Sequence, residues 1–404
     1  MTRRIRFLSL LASAWLASCG GGMVAGVGSG GSGVAEGTLS GFGSVIVDGI
    51  EYSESGLSAT DRAGLKLGQR VRLVFDATGA ARSIDVRPQL RGPVTAPLDA
   101  DGFLRIGGQW VRVVQSNDDF SRSGITLLEG FASAGIATGQ DATAYGSWVW
   151  DASKSAHVLV ATRIDRLAEV ADPVLIGGVV ASLADGRLRL AAADGTVVTA
   201  ARLPVLAEGA IVAVEVARAG LLVEGGTVAA VSAAEVKDAS LGASDLSGFD
   251  TVRLGGLANG YDMGRGTVTI QGTQLRLGMD PGGLAAGRFV RATAGGGPGD
   301  LTAAAVQGRF GSPVGRPGDD GSGLVTELKG TLSGVDWSAP TVGFVLRGVT
   351  VQADAAQVGA ACRTAAAGQT LYVTVVGYSP APTAPVRANV VNCSADLTAA
   401  AADV

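Results

Sequence analysis

Histidine occurs once in 404 residues, and only three cysteines and four methionines accompany it. That leaves little material for a histidine-based metal site or a His-dependent catalytic triad. No Gly-x-Ser-x-Gly elbow is present, and the Gly/Ser run from Gly28 to Gly33 lacks the Lys-Ser/Thr ending of a phosphate-binding loop. Aromatic residues are 5% and charged residues 17% of the chain, against 47% hydrophobic. Low charge with high apolar content excludes wholesale disorder. What is abundant is glycine: 62 residues, without the three-residue period of collagen. The length exceeds that of a usual domain several-fold, so several cores are expected.

The first residues read as an address. Arg3, Arg4 and Arg6 precede a largely apolar run from Phe7 to Ala17, and Leu16-Ala17-Ser18-Cys19 gives way to Gly20-Gly21-Gly22. This is the pattern of a secretory signal peptide, too short to span a bilayer. Small residues before Cys19 resemble the lipobox of bacterial lipoproteins, which predicts a leader over 1–18 and a mature chain lipidated on Cys19. Gly20, where a retention signal would carry Asp, favours the outer membrane. Three of the 32 basic residues lie in the leader, leaving 29 against 36 acidic ones, a net of −7. An acidic body argues against nucleic acid as a partner. In an oxidising compartment the remaining pair, Cys362 and Cys393, predicts a disulfide, with two buried thiols as the alternative. Closing that loop stabilises by roughly 3–4 kcal/mol in the chain-entropy model.

Internal repeats organise the rest. The phrase Leu39-Ser40-Gly41-Phe42 returns as Leu246-Ser247-Gly248-Phe249 and Leu332-Ser333-Gly334-Val335. A second phrase is a glycine three residues before a strand-like run: Gly68, Gly139, Gly209, Gly287 and Gly368, at intervals of 71, 70, 78 and 81. About five units of that size follow. Each run alternates as a half-buried strand, with Val71, Leu73 and Phe75 on one face and Arg70 and Arg72 on the other. The glycine before it is expected at positive φ. Asp48-Gly49 and Asp185-Gly186 read as tight hairpin turns. The predicted fold is all-β: five tandem small barrels of OB-like type, with small sandwiches as runner-up. The expected boundaries are a leader (1–18), a Gly-rich tether (19–36), modules at 37–88, 89–168, 173–234, 240–308 and 327–394, a linker (309–326) and a tail (395–404).

The stretch Leu39 to Gly49, followed by Leu65-Lys66-Leu67-Gly68-Gln69-Arg70-Val71, resembles the repeat of bacterial lipoproteins grouped as domain of unknown function 5666. The resemblance is clearest over residues 37–88 and partial near 246 and 330. It implies a lipobox and several OB-like repeats. No activity is attached to the family, so no functional residue carries over.

Candidate site residues are few. His157 sits in a strand-like context and reads as structural. Asp99, Asp101, Asp118-Asp119 and Asp319-Asp320 offer oxygen ligands on turns, but none has calcium-loop spacing. No cofactor is expected. Trp148 and Trp150, two apart on one strand near Tyr145, would project from the same face. Exposed, they could stack on sugar rings; buried, they would be core with an acceptor for each indole N–H. Trp110 and Trp337 carry the same ambiguity. The leading expectation is a non-enzymatic, lipid-anchored envelope protein with a binding or scaffolding role. The alternatives are a glycan-binding lipoprotein using Trp148 and Trp150, and an envelope hydrolase using carboxylate pairs.

Overall fold

The computed structural model describes residues 32–115, 124–132, 135–278, 284–297, 300–308 and 325–398. Cys19, the leader, the tether up to residue 31, Asp118-Asp119, Asp319-Asp320 and the end of the tail lie outside the described residues.

The chain is almost entirely β, and its first barrel sets the pattern for the others. Strand β1 (Gly33–Phe42) is shared between two partners. Residues Gly33 to Thr38 pair antiparallel with β4 (Arg70–Phe75), and Leu39 and Gly41, with a bulge between them, pair with β2 (Val45–Val47). Strand β3 (Ile50–Tyr52) returns from β2 through Asp48-Gly49, both at positive φ (49° and 78°), the type I′ geometry of a two-residue hairpin. A short helix, α1 (Ala59–Ala63), follows, its first turn closed by a Ser58–Asp61 capping box. Strand β5 (Ala81–Val86) pairs with β4, and a parallel bridge from Ser53 to Ala80 closes the barrel. The resulting order, 1-2-3-5-4-1, is that of an OB barrel.

The same order recurs in barrels 2, 3 and 4, and in barrel 5 without the pairing of strands one and two. Barrel 2 comprises β6 (Leu90–Ala96), β7 (Phe103–Ile106), β8 (Gln109–Val113), an added β9 (Leu127–Glu129), β10 (Asp141–Asp151) and β11 (Ala156–Arg166), closed by parallel pairing of β11 with β8. Barrel 3 has β12 (Val174–Ala184), β13 (Arg187–Leu190), β14 (Val197–Ala200) and β15 (Ile211–Val216). A small hairpin, β16 (Val223–Glu224) and β17 (Thr227–Val228), precedes its fifth strand, which is split into β18 (Ala230–Ala233) and β19 (Glu235–Asp238). In barrel 4, α2 (Ala243–Leu246) leads into β20 (Thr251–Asp262), β21 (Thr267–Ile270), β22 (Thr273–Leu277), β23 (Phe289–Gly295) and β24 (Thr302–Gly308). Barrel 5 has β25 (Thr326–Leu332), β26 (Thr341–Leu346), β27 (Val349–Asp354), α3 (Ala360–Arg363), β28 (Leu371–Tyr378) and β29 (Val386–Ser394). Each barrel encloses its own apolar core, for example Leu39, Val47, Val71 and Leu73 in the first.

Two expected boundaries move. Residues Gly33 to Glu36, expected in the tether, belong to β1, because β20 pairs with them from the side opposite β4 and buries them. The third module runs past 234 to Asp238, since β19 supplies the partner of β15.

The barrels are fused rather than strung out. β1 pairs in parallel with β20 through Gly33 to Glu36 and with β25 through Gly41 and Phe42. Leu175 of β12 pairs with Arg91 of β6. Barrels 2 and 4 share a further apolar cluster in which Val149, Val158 and Val160 meet Leu257 and Phe289.

Candidate ligand-binding face

In an OB barrel the outer face of strands two and three, with the loops joining strands one to two and four to five, is the usual ligand surface. The five barrels differ sharply there. Barrel 1 turns Ile46 and Glu51 outward, and barrel 5 occupies that ground, Lys329 Nζ lying 2.8 Å from Glu51 Oε2. Barrels 3, 4 and 5 present Arg187 and Thr199, Thr269 and Gln274, and Val345 and Thr350 respectively, all without an aromatic ring.

Barrel 2 is unlike the rest. Alternation sends Leu104, Ile106, Val111 and Val113 into its core and Phe103, Arg105, Trp110 and Arg112 to the opposite face, where Phe103 is buried in the cluster shared with barrel 4 and Trp110 is half-buried against it. Register places Arg105 opposite Trp110 and Phe103 opposite Arg112. Each pair is a cation–π contact: the Arg105 guanidinium lies 3.9 Å from the Trp110 ring centre and Arg112 lies 4.4 Å from that of Phe103. Lys154, from the hairpin between β10 and β11, reaches over both rings at 4.1 and 4.6 Å. Asp99, from the loop between β6 and β7, sits 4.0 Å from Lys154 Nζ. Its Oδ1 is already committed to the backbone N–H groups of Asp101 and Phe103. Partial burial pulls Arg105 below the ordinary guanidinium range, and Asp194 of barrel 3 opposes that shift. With Phe103 buried beneath, what faces outward is the half-buried Trp110 ring beside Arg105, Arg112 and Lys154, with Asp99 and Asp194 nearby.

The tryptophan pair is corrected. Trp148 is fully buried in the core of barrel 2, with its ring 3.3 Å from where a Cβ on Gly177 would stand, and it offers no face to a ligand. Its indole N–H has no acceptor among the described residues. Trp150 is 53% exposed and stands edge-on to His157, ring centres 5.3 Å apart. The two indoles share a side of β10, but Trp148 lies inside the barrel and Trp150 near the hairpin end of the strand. Trp337 is core, tilted against Phe344. His157 Nδ1 donates to the Ala191 carbonyl oxygen of barrel 3, 3.3 Å away, and the His157 backbone N–H donates to the same oxygen. Burial lowers its pKa while the carbonyl opposes the shift. Cys362 on α3 and Cys393 on β29 form a disulfide, S–S 2.05 Å. Among the described residues no three His, Cys, Asp or Glu side chains converge to hold a metal.

A buried ionic junction escaped the alternation pattern. Arg70 and Arg72, read as the outer face of β4, are 1% and 8% exposed because barrel 4 covers them. Glu36 Oε1 accepts from Arg70 Nε and Nη2 (3.1 and 2.8 Å), and its Oε2 accepts from Arg72 Nε (2.9 Å). Arg70 Nη1 donates to the Gly255 carbonyl, and Arg72 Nη1 lies 2.8 Å from Asp245 Oδ1. Burial alone would raise the Glu36 carboxyl, but the two guanidinium groups outweigh it and hold it below the usual range. Asp48 stands beside this junction. Its Oδ1 accepts from Thr38 N–H at 3.2 Å, while Oδ2 is buried with no hydrogen-bond partner among the described residues. Gly37 and Gly255 make the room, since a Cβ on either would come within 2 Å of that oxygen. Burial raises the Asp48 carboxyl to about 6 against the pull of Arg70, Thr38 N–H and Arg291. A cavity of about 30 Å³ lined by Thr38, Gly68, Leu127, Thr162 and Thr326 lies among barrels 1, 2 and 5, enough for water but far too small for a substrate.

Compared with known proteins, the chain matches no family model and no curated sequence.

Proposed function

We propose that this chain is a non-enzymatic lipoprotein of the bacterial cell envelope, anchored through Cys19 in the outer membrane, whose fused barrels present a binding surface. Its kinship with the domain of unknown function 5666 lipoproteins is part of the same proposal. The supporting sequence feature is the basic, apolar, small-small-Cys succession at residues 3–19. The observation that carries the binding reading is the half-buried Trp110 ring, held between Arg105 and Lys154 on the outer face of strands two and three of barrel 2.

The ligand class it favours is an envelope glycan bearing acidic groups. A ring edge between cations suits a sugar ring with a carboxylate or phosphate, whereas Asp99 and Asp194 and the acidic body disfavour nucleic acid. The glycan reading therefore moves from the Trp148–Trp150 pair to Trp110. A panel of acidic and neutral envelope oligosaccharides titrated calorimetrically against the purified chain is the test. Binding weakened about tenfold or more by Trp110→Ala or Arg105→Ala, with Tm unchanged, would support it. Absence of binding to the whole panel, or binding indifferent to both changes, would remove the glycan assignment. Anchoring is tested separately: mass spectrometry of the N-terminal peptide should find a lipid that Cys19→Ser abolishes.

A further inference from the structure

In four barrels the first strand is long enough to serve two neighbours. β1, β6, β12 and β20 each pair with strand four over their first half and with strand two over their second. In barrel 5, β25 ends at Leu332 with every residue paired to β28, and no second half follows to meet β26. Among the described residues β26 is hydrogen-bonded to β27 alone. Its free side is left as a sheet edge.

The direction of that edge follows from the turn. Arg347 and Gly348 are both at positive φ (51° and 77°), a two-residue type I′ hairpin whose flanking residues, Leu346 and Val349, form a hydrogen-bonded pair. Alternation then turns Phe344 and Val342 toward β27, as does the Ala355 N–H to Pro340 carbonyl bond that continues the ladder. The N–H and C=O groups of Thr341, Gly343 and Val345 point the other way. All three residues are exposed, Val345 to 55%, and nothing lies within 4 Å of where a Gly343 Cβ would stand. The strand Thr341-Val-Gly-Phe-Val-Leu346 has no charge, no proline and no bulge, so it lacks the devices that keep an edge unpaired.

We propose that β26 is a homodimerisation edge, pairing antiparallel with β26 of a second copy of this chain about a two-fold axis at Gly343. The register is self-complementary. Gly343 faces Gly343, Thr341 faces Val345 of the second copy and the reverse, and all three outward pairs are hydrogen-bonding ones, giving six backbone bonds. Thr341 beside Val345 is a β-branched pair of the kind that stabilises adjacent strands. An edge without charge meets its own copy without repulsion. Five residues of backbone pairing bury less than a standard interface, so the dimer is a weak, concentration-dependent one.

Sedimentation equilibrium on the secreted chain carrying Cys19→Ser, which removes lipid-driven association, tests this. The wild-type edge should show a monomer–dimer equilibrium in the micromolar-to-millimolar range. Gly343→Lys and Gly343→Glu, which meet open space in the monomer, should each leave it monomeric with unchanged Tm, because two like charges then face each other across the axis. Mixing the two variants should restore dimers. A chain that stays monomeric up to its solubility limit, or a dimer indifferent to Gly343→Lys, would overturn the proposal, the former leaving the edge to a strand of another protein.

Discussion

Asp48 and Glu36 are both buried carboxylates at the junction of barrels 1 and 4, yet their environments give them opposite pH behaviour. Glu36 is held below its ordinary value by Arg70 and Arg72, so its contribution is present above the unfolded pKa and is lost as pH falls through the lowered folded one. Asp48 is raised to about 6 by burial, so folding favours its protonated form. Its contribution is full below the unfolded pKa near 3.8 and is lost as pH rises through 6. Asp48→Asn should therefore gain on the wild type by on the order of 2–3 kcal/mol between about pH 4 and pH 7, read as a divergence of the two Tm–pH curves. Parallel curves would show that Asp48 keeps an ordinary pKa. Glu36→Ala would leave Arg70 buried without its main counter-charge and should cost about 3–5 kcal/mol in denaturant unfolding. Neither role was legible in the sequence. Glu36 lies in a glycine-rich stretch that reads as tether, and Arg70 and Arg72 fall on the polar side of a clean alternation, which normally means water.

At the scale of elements, the two repeated phrases fared differently. The glycine before strand four is at positive φ in all five barrels (77° to 86°). In the first four its N–H donates to a strand-one carbonyl: Gly68 to Leu39, Gly139 to Val94, Gly209 to Val180 and Gly287 to Ala258, at 2.8–3.0 Å. A backbone constraint of this kind leaves a mark in sequence because glycine meets it without strain. The Leu-Ser-Gly phrase marks no common position. Leu39 lies within β1, Leu246 ends α2 before β20 begins, and Leu332 is the last residue of β25. The five glycines also predict unequal costs. Gly209→Ala has open space around the new Cβ and should lose about 1–2 kcal/mol, the strain of positive φ alone. Gly68→Ala would also drive its Cβ to 2.8 Å from the Thr162 carbonyl of barrel 2, and should lose clearly more. Equal losses in the two variants would mean that the contact between barrels 1 and 2 yields freely.

For the molecule as a whole, fusion of the barrels predicts cooperative unfolding. β1 is paired on both sides, Arg72 is shared with Asp245, and Leu128 N–H donates to the Pro382 carbonyl from barrel 2 to barrel 5. Calorimetry should show one dominant transition rather than five, and a chain ending before β20 should unfold at a lower temperature because the Glu36–Arg70 pair is then uncovered. Five separate transitions would argue for independent beads. Sequence alone determined the all-β class, the number of units, the strand-four glycines and the Cys362–Cys393 pairing, since each is written in local period, backbone conformation or counting. It could not determine which polar faces are dry, that Trp148 is core while Trp110 lies on the outer face of strands two and three, or that β26 is paired on one side only among the described residues. Those depend on what other barrels bring across the surface, and residues hundreds of positions apart carry no shared local period.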